Sequence, residues 1–201
     1  YFAEDVVGTM QQMAWAITLA ACAVLAIGIL VHQRAYQLFS SQLRMTATAT
    51  ALSGGALVGM SLLLAWPTSE QMQLVSLLGG GALLLLSISG RFAATLPSAF
   101  ILTAVGLWLS LGLITGQYEN VPYEQLGSRH LQLVLNGLTS IFLMIYGIAL
   151  LVVSRKAFAR QDADFRKLAS WSGYGASCLS VLAALLITMI AGANQSWGLE
   201  H

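Results

Sequence analysis

Residues 12–31 read QMAWAITLAACAVLAIGILV, twenty positions without a single Asp, Glu, Lys or Arg. At 1.5 Å per residue, about 20 apolar residues in a helix match the roughly 30 Å of hydrocarbon in a bilayer. In lipid, every backbone N–H and C=O must be satisfied within the protein, so a spanning segment is either a helix or part of a closed barrel. A barrel would show short alternating strands, which this run does not resemble. Working outward, five further stretches have the same character: Met45 to Trp66, Met72 to Gly90, Ala99 to Gly116, Leu131 to Val153 and Gly173 to Ala191. The expected fold is all-α and polytopic, with about six transmembrane helices in three antiparallel hairpins.

The composition agrees with a membrane class. The 201 residues are 57% hydrophobic and only 8% charged, whereas soluble domains are about a quarter charged. Eight of the nine basic residues lie in three short segments, Arg34 to Arg44, Arg91, and Arg155 to Lys167; the exception is Arg129. Glu4, Asp5, Glu70, Glu119, Glu124 and Glu200 occupy the intervening connectors. Retention of cations on the cytoplasmic side places both termini outside, and points to an inner or plasma membrane. A basic stripe interleaved with aromatic residues is missing, which argues against nucleic acid as a partner.

The connectors fit this arrangement. Trp66-Pro67-Thr68-Ser69-Glu70 joins an interfacial aromatic, a helix breaker and a charge in a tight outer turn. Gly90-Arg91-Phe92 and Leu96-Pro97-Ser98 bound a short inner one. An alternative with five spans makes the third and fourth runs partly re-entrant around Gly79-Gly80-Gly81 and Pro97. Leu30-Val31 before Arg34 is echoed by Leu151-Val152 before Arg155, a pattern that a hairpin repeat or the charge rule alone would produce. Residues 1–198 are read as one integral membrane domain. Leu199-Glu200-His201 resembles an expression-tag remnant, and the opening Tyr1, without a Met, leaves open whether residues precede it.

No ionisable Asp, Glu, Lys or Arg interrupts a span, which argues against a proton-coupled pump. His32 and His130 fall at opposite faces and cannot share a haem. Cys22 and Cys178 read as packing residues, and the methionines, including Met10 and Met13, as apolar filler rather than a copper site. No metal or cofactor is implied. Ser53-Gly54 superficially suggests an intramembrane hydrolase, but a nucleophile needs a base within about 3 Å, and His130 is expected near the outer surface.

The most polar surface within a span is expected on the fifth. Gln132, Asn136, Thr139 and Ser140 follow i, i+4, i+7, i+8 spacing and would share one face of a continuous helix, with Arg129 and His130 at its outer end. Such a face can be the wall of a solute pathway or interhelical glue. Thr46, Thr50, Ser53 and Gly54 form a small-residue face on the second span, with Gly55-xxx-Gly59 beside it. Thr103, Gly106 and Ser110 do the same on the fourth, with Gly112-xxx-Gly116; both read as close-packing faces. Gly79-Gly80-Gly81 reads either as a helix break with exposed carbonyls or as another contact patch. Arg155, Lys156, Arg160, Arg166 and Lys167 are expected to anchor the inner loop, and could contact anionic lipid or a partner.

These features point first to a small transport or channel-type protein for a neutral or weakly polar solute. The alternative is a non-catalytic membrane module, an accessory subunit or sensing domain, acting as a homo-oligomer or with a membrane partner. An intramembrane enzyme ranks third, because no span carries paired acid, base or metal groups.

Overall fold

A computed structural model describes residues 2–38, 41–89, 95–119, 121–157 and 163–197. Tyr1 and the tripeptide 199–201 lie outside them. All regular structure among these residues is helical: α1 (Phe2–Leu38), α2 (Ser41–Ala65), α3 (Ser69–Ser89), α4 (Leu96–Ile114), α5 (Tyr123–Val134), α6 (Gly137–Ala157) and α7 (Ala163–Trp197). Six of the seven are long and apolar enough to cross a membrane, over Gly8–Val31, Thr48–Ala65, Ser69–Ser89, Leu96–Ile114, Gly137–Ser154 and Phe165–Ile190. The protein is therefore an all-helical membrane protein with six candidate spans. The helices fall into two compact units, residues 1–117 and 118–201.

Within the first unit, α1, α2 and α3 meet along seams of alternating three- and four-residue spacing. Buried or partly buried positions run 11, 14, 18, 21, 25, 28 on α1, then 51, 54, 58, 61, 65, 68 from α2 into the following turn, then 69, 72, 76, 79, 83, 86 on α3. This is the spacing of left-handed helix packing. Three contacts fix the register. The Gln11 amide donates to Thr68 Oγ1 at 2.9 Å, and a Cβ on Gly54 would fall 2.6 Å from Leu25 Cγ. On the other side, a Cβ on Gly79 would collide with Val58. Residues of α1 and α2 that oppose one another therefore sum to 79 in both contacts, and Val58 opposite Gly79, across the short turn that joins α2 to α3, gives 137 for that hairpin. The constant sum makes α1 and α2 antiparallel, and the short turn between Ala65 and Ser69 makes α2 antiparallel to α3.

The other face of α3 is given to α4. Gln73 Nε2 donates to Ser110 Oγ at 2.7 Å, and the Ser87 and Thr95 hydroxyls are 2.6 Å apart. Between them, Gly80 receives Thr103 and Gly106 receives Leu77. Thus α3 touches three helices and is the most buried of the spans. Its glycine run is an unbroken α-helix, so the five-span alternative and the exposed-carbonyl reading both give way to the contact patch. Gly79 accommodates α2 and Gly80 accommodates α4, while a Cβ on Gly81 would meet nothing within 4 Å.

Helix α4 ends differently from its sequence reading. Gly116 lies beyond the helix at φ 69°, its N–H bonded to Leu113 O at 3.1 Å, with Gln117 N–H bonded to Gly112 O at 3.0 Å. This paired pattern is a Schellman stop, in which glycine adopts the left-handed conformation. Gly112-xxx-Gly116 is accordingly a helix terminus and not a close-approach motif.

In the second unit, α6 and α7 form an antiparallel pair. Ser140 Oγ donates to Ala184 O and Ser177 Oγ donates to Gly147 O, each at 2.7 Å, and a Cβ on Gly173 would overlap Ser154. Ser140, Gly147 and Ser154 recur every seven residues and bring small groups against α7 along its length. Interhelical hydrogen bonds in lipid contribute only ~0.6 kcal/mol on average, so close van der Waals fit at these small residues is the larger part of the association. The sixth span also begins earlier than Gly173. Phe165 and Ala169 lie buried at four-residue spacing before it, while Arg166 and Lys167 stay exposed, so the helix starts as an amphipathic segment.

Candidate functional site

The expected polar face lies in the second unit, and the helix that should carry it is broken. α5 ends at Val134 and α6 begins at Gly137, where the sequence suggested one span starting at Leu131. Asn136 stands at the N-cap of α6, where its Oδ1 accepts from Leu138 N–H at 3.4 Å and its carbonyl from Thr139 N–H at 3.0 Å. Asparagine is among the best residues at that position, because its side chain satisfies an N–H that the helix leaves unpaired. Thr139 Oγ1 donates to Leu133 O at 2.6 Å, closing the break from the other side. The i, i+4, i+7, i+8 stripe consequently does not run along one helix.

Each member of the stripe has a distinct setting. Thr139 and Ser140 are buried, the first stapling α5 to α6 and the second bonded to Ala184 O and, at 2.6 Å, to the Thr188 hydroxyl. These two have the geometry of glue. Gln132 and Asn136 are exposed, and Arg129 Nη1 donates weakly to Gln132 Oε1 at 3.4 Å.

His130 is 3% exposed, and its Nδ1 lies 3.0 Å from the Tyr118 hydroxyl with ring centroids 5.0 Å apart. Which atom donates depends on the imidazole tautomer. Burial pushes the Tyr118 phenol up to about 12, an effect that the nearby Arg129 charge partly offsets. The sequence placed His130 at the outer end of the polar face but gave no hint of this pairing, since twelve residues separate the two rings and no local periodicity connects them. The neutral phenol is the form the fold favours, so its contribution is present below an ordinary tyrosine value of about 10 and fades as pH rises through about 12. Ultraviolet titration of the intact protein should therefore show a late-ionising phenol that Tyr118→Phe removes. Loss of a different phenol, or none, would contradict the assignment.

Of the cations between the fifth and sixth spans, Arg166 and Lys167 are exposed near the start of α7. Arg155 and Lys156 lie in the last turn of α6, and Arg160 lies outside the described residues. Among the described residues, no group of three or more His, Cys, Asp or Glu is placed to hold a metal ion. Ser53 is exposed and donates to its own helix at Ala49 O, 2.9 Å away.

The first unit contains a groove of about 450 Å³ between α2 and α4, floored by Leu83 of α3. Ala51, Gly55, Ala56 and Gly59 form one wall; Ser98 and Ile101 belong to the other. The sequence marks Gly55 and Gly59 as a close-approach motif, and a Cβ on either would meet nothing within 4 Å. Gly28, Gly54, Gly79, Gly80 and Gly106 of the same unit each face a neighbouring helix.

Compared with known proteins, the chain matches no protein family, no curated protein and no solved structure.

Proposed function

We propose that this chain is a non-catalytic membrane module that works by packing against a transmembrane helix of a partner membrane protein. The observation that carries the reading is the groove beside Gly55 and Gly59. Glycine inside a helix costs up to about 1 kcal/mol relative to alanine, and in lipid it is recovered where another backbone comes close. Gly28, Gly54, Gly79, Gly80 and Gly106 receive that approach from within the chain; at Gly55 and Gly59, as at Gly8 and Gly81, a Cβ would meet nothing within 4 Å among the described residues, and Gly55 and Gly59 line the groove. A partner helix with small residues on one face fits such a surface. In this reading the basic segments lie on the cytoplasmic side of an inner or plasma membrane, both termini lie outside, and Arg155, Lys156, Arg160, Arg166 and Lys167 contact anionic lipid headgroups.

Transport of a neutral solute draws less support, because Thr139 and Ser140 already have partners in the helix packing and His130 is buried, which leaves Gln132, Asn136 and Arg129 as the polar surface. One experiment separates the two. The chain is purified from native membranes, unmodified and with Gly55→Leu plus Gly59→Leu. The expected result is one stoichiometric membrane-protein partner, lost on substitution while the folded chain is retained. Purification as an isolated chain or self-dimer would overturn the reading. So would solute flux in proteoliposomes of the chain alone that falls with Gln132→Ala and Asn136→Ala.

A further inference from the structure

Thr18, Ser61 and Ser76 are each 0% exposed and come from three different helices. The registers described above bring them together. Thr18 opposes Ser61 just as Gln11 opposes Thr68 and Leu25 opposes Gly54, and Ser61 opposes Ser76 as Val58 opposes Gly79. Three hydroxyls thus form one layer in the middle of the α1–α2–α3 packing. The layers on either side are Ala14, Ala65 and Met72, and Ala21, Val58 and Gly79, whose side chains are mostly small.

We propose that this layer is a binding site for a single internal water molecule. The argument is a count of donors and acceptors. Thr18 Oγ1 donates to Ala14 O at 2.7 Å, and Ser61 Oγ donates to Val58 O at 2.8 Å. Both hydroxyl hydrogens are committed to their own helices, so these two oxygens present only lone pairs to the layer. Ser76 Oγ is buried and has no hydrogen-bond partner. Leaving a buried hydroxyl unsatisfied costs about 1–3 kcal/mol, so such a group calls for a partner.

The complement of two acceptors and one free hydroxyl is a molecule that donates twice and accepts once. Water does this, and buried waters typically make about three hydrogen bonds. A hard cation fits poorly, because Ca²⁺ or Mg²⁺ needs about six or more oxygens and usually a carboxylate, whereas the layer supplies three neutral hydroxyls. Water at this depth would tie three helices through one centre, which no direct side-chain bond among the three accomplishes.

The test uses the full chain in lipid nanodiscs. Ser76→Ala and Thr18→Val each remove one partner of the water while nearly preserving volume. Each should lower the thermal midpoint by roughly 3 °C. The double variant should fall little further, because the water leaves with the first substitution and residues that share one partner do not act additively. Neutral single substitutions, or fully additive losses, would overturn the site. A density map that resolves ordered water gives an independent decision. The expected feature lies within hydrogen-bond distance of all three hydroxyls; Ser76 Oγ bonded instead to the Met72 carbonyl, with no density in the layer, would exclude it.

Discussion

Gly79→Leu is expected to abolish folding of the first unit, while the same substitution at Gly81, two residues along the same helix, leaves it intact. The difference comes from what each position faces. A Cβ on Gly79 would run into the branched side chain of Val58, which is itself fully buried between α1 and α3 and has no free volume to enter. Overpacking a close-fitted core costs about 1–3 kcal/mol even for modest additions, and leucine adds four carbons. The loss at Gly79 should therefore exceed ~3 kcal/mol, a large part of the stability of a domain of ordinary size. Gly80→Leu should behave similarly, because its Cβ would lie 2.8 Å from Thr103 Cγ2 and 3.0 Å from the Thr103 backbone nitrogen. At Gly81 no atom lies within 4 Å, so a larger side chain enters open space and the helix gains propensity. Detergent thermostability, read by size-exclusion chromatography after heating, would show it. Equal tolerance at Gly79 and Gly81 would invalidate the register on which the layered packing depends.

The contrast also marks how far the sequence alone can be read. Six uninterrupted apolar runs are legible because membrane thickness imposes a length on them, and the described helices bear out that count. Which side of a run faces protein is much harder to read. The lipid-facing and core-facing sides of α1 are equally apolar, so the burial of Ala14, Ala21, Leu25 and Gly28 leaves no amphipathic pattern of the kind a soluble helix shows. The clue that was present is size: Ala14, Thr18, Ala21 and Gly28 are small and lie four, three and seven residues apart on one face.

Local signals were also overridden by longer ones. Asn136-Gly137 is a helix-start signal, and Gly116 is a suitable helix stop. Each sits next to a long apolar run, and hydropathy counted over about twenty residues passes across single capping positions. The Tyr118–His130 pair was not legible, because it depends on how the connector folds back onto α5. The polar residues expected on one face of the fifth span are divided by the break at Leu135 and Asn136 between capping, stapling and the surface.

In the second unit, Gly173→Ala should disrupt the α6–α7 pair, and Ser154→Gly introduced with it should restore much of the loss. An added methyl on Gly173 would occupy the space of the Ser154 hydroxyl and lie 2.6 Å from its Cβ. Rotating the hydroxyl cannot relieve the second contact, so the helices must separate or shift. Separation is costly here because the pair is held by contacts repeated at seven-residue intervals, at Ser140, Gly147 and Ser154. A shift sufficient for one methyl would lengthen the Ser177-to-Gly147 bond, now 2.7 Å. The expected cost is about 1–3 kcal/mol. Removing the Ser154 side chain takes away the atoms that collide; since its Oγ is buried without a partner, no hydrogen bond is lost with it. Ser154→Gly alone should therefore be mild, limited mainly to the helix propensity of glycine, roughly 0.5 kcal/mol relative to serine. The thermal midpoint of the double variant should then lie well above that of Gly173→Ala. Rescue by Ser154→Gly distinguishes a local steric fit from a general intolerance of substitution in α7. If the double variant were as unstable as the sum of the two single changes, Gly173 and Ser154 would not be neighbours, and the antiparallel register of α6 on α7 would have to be redrawn.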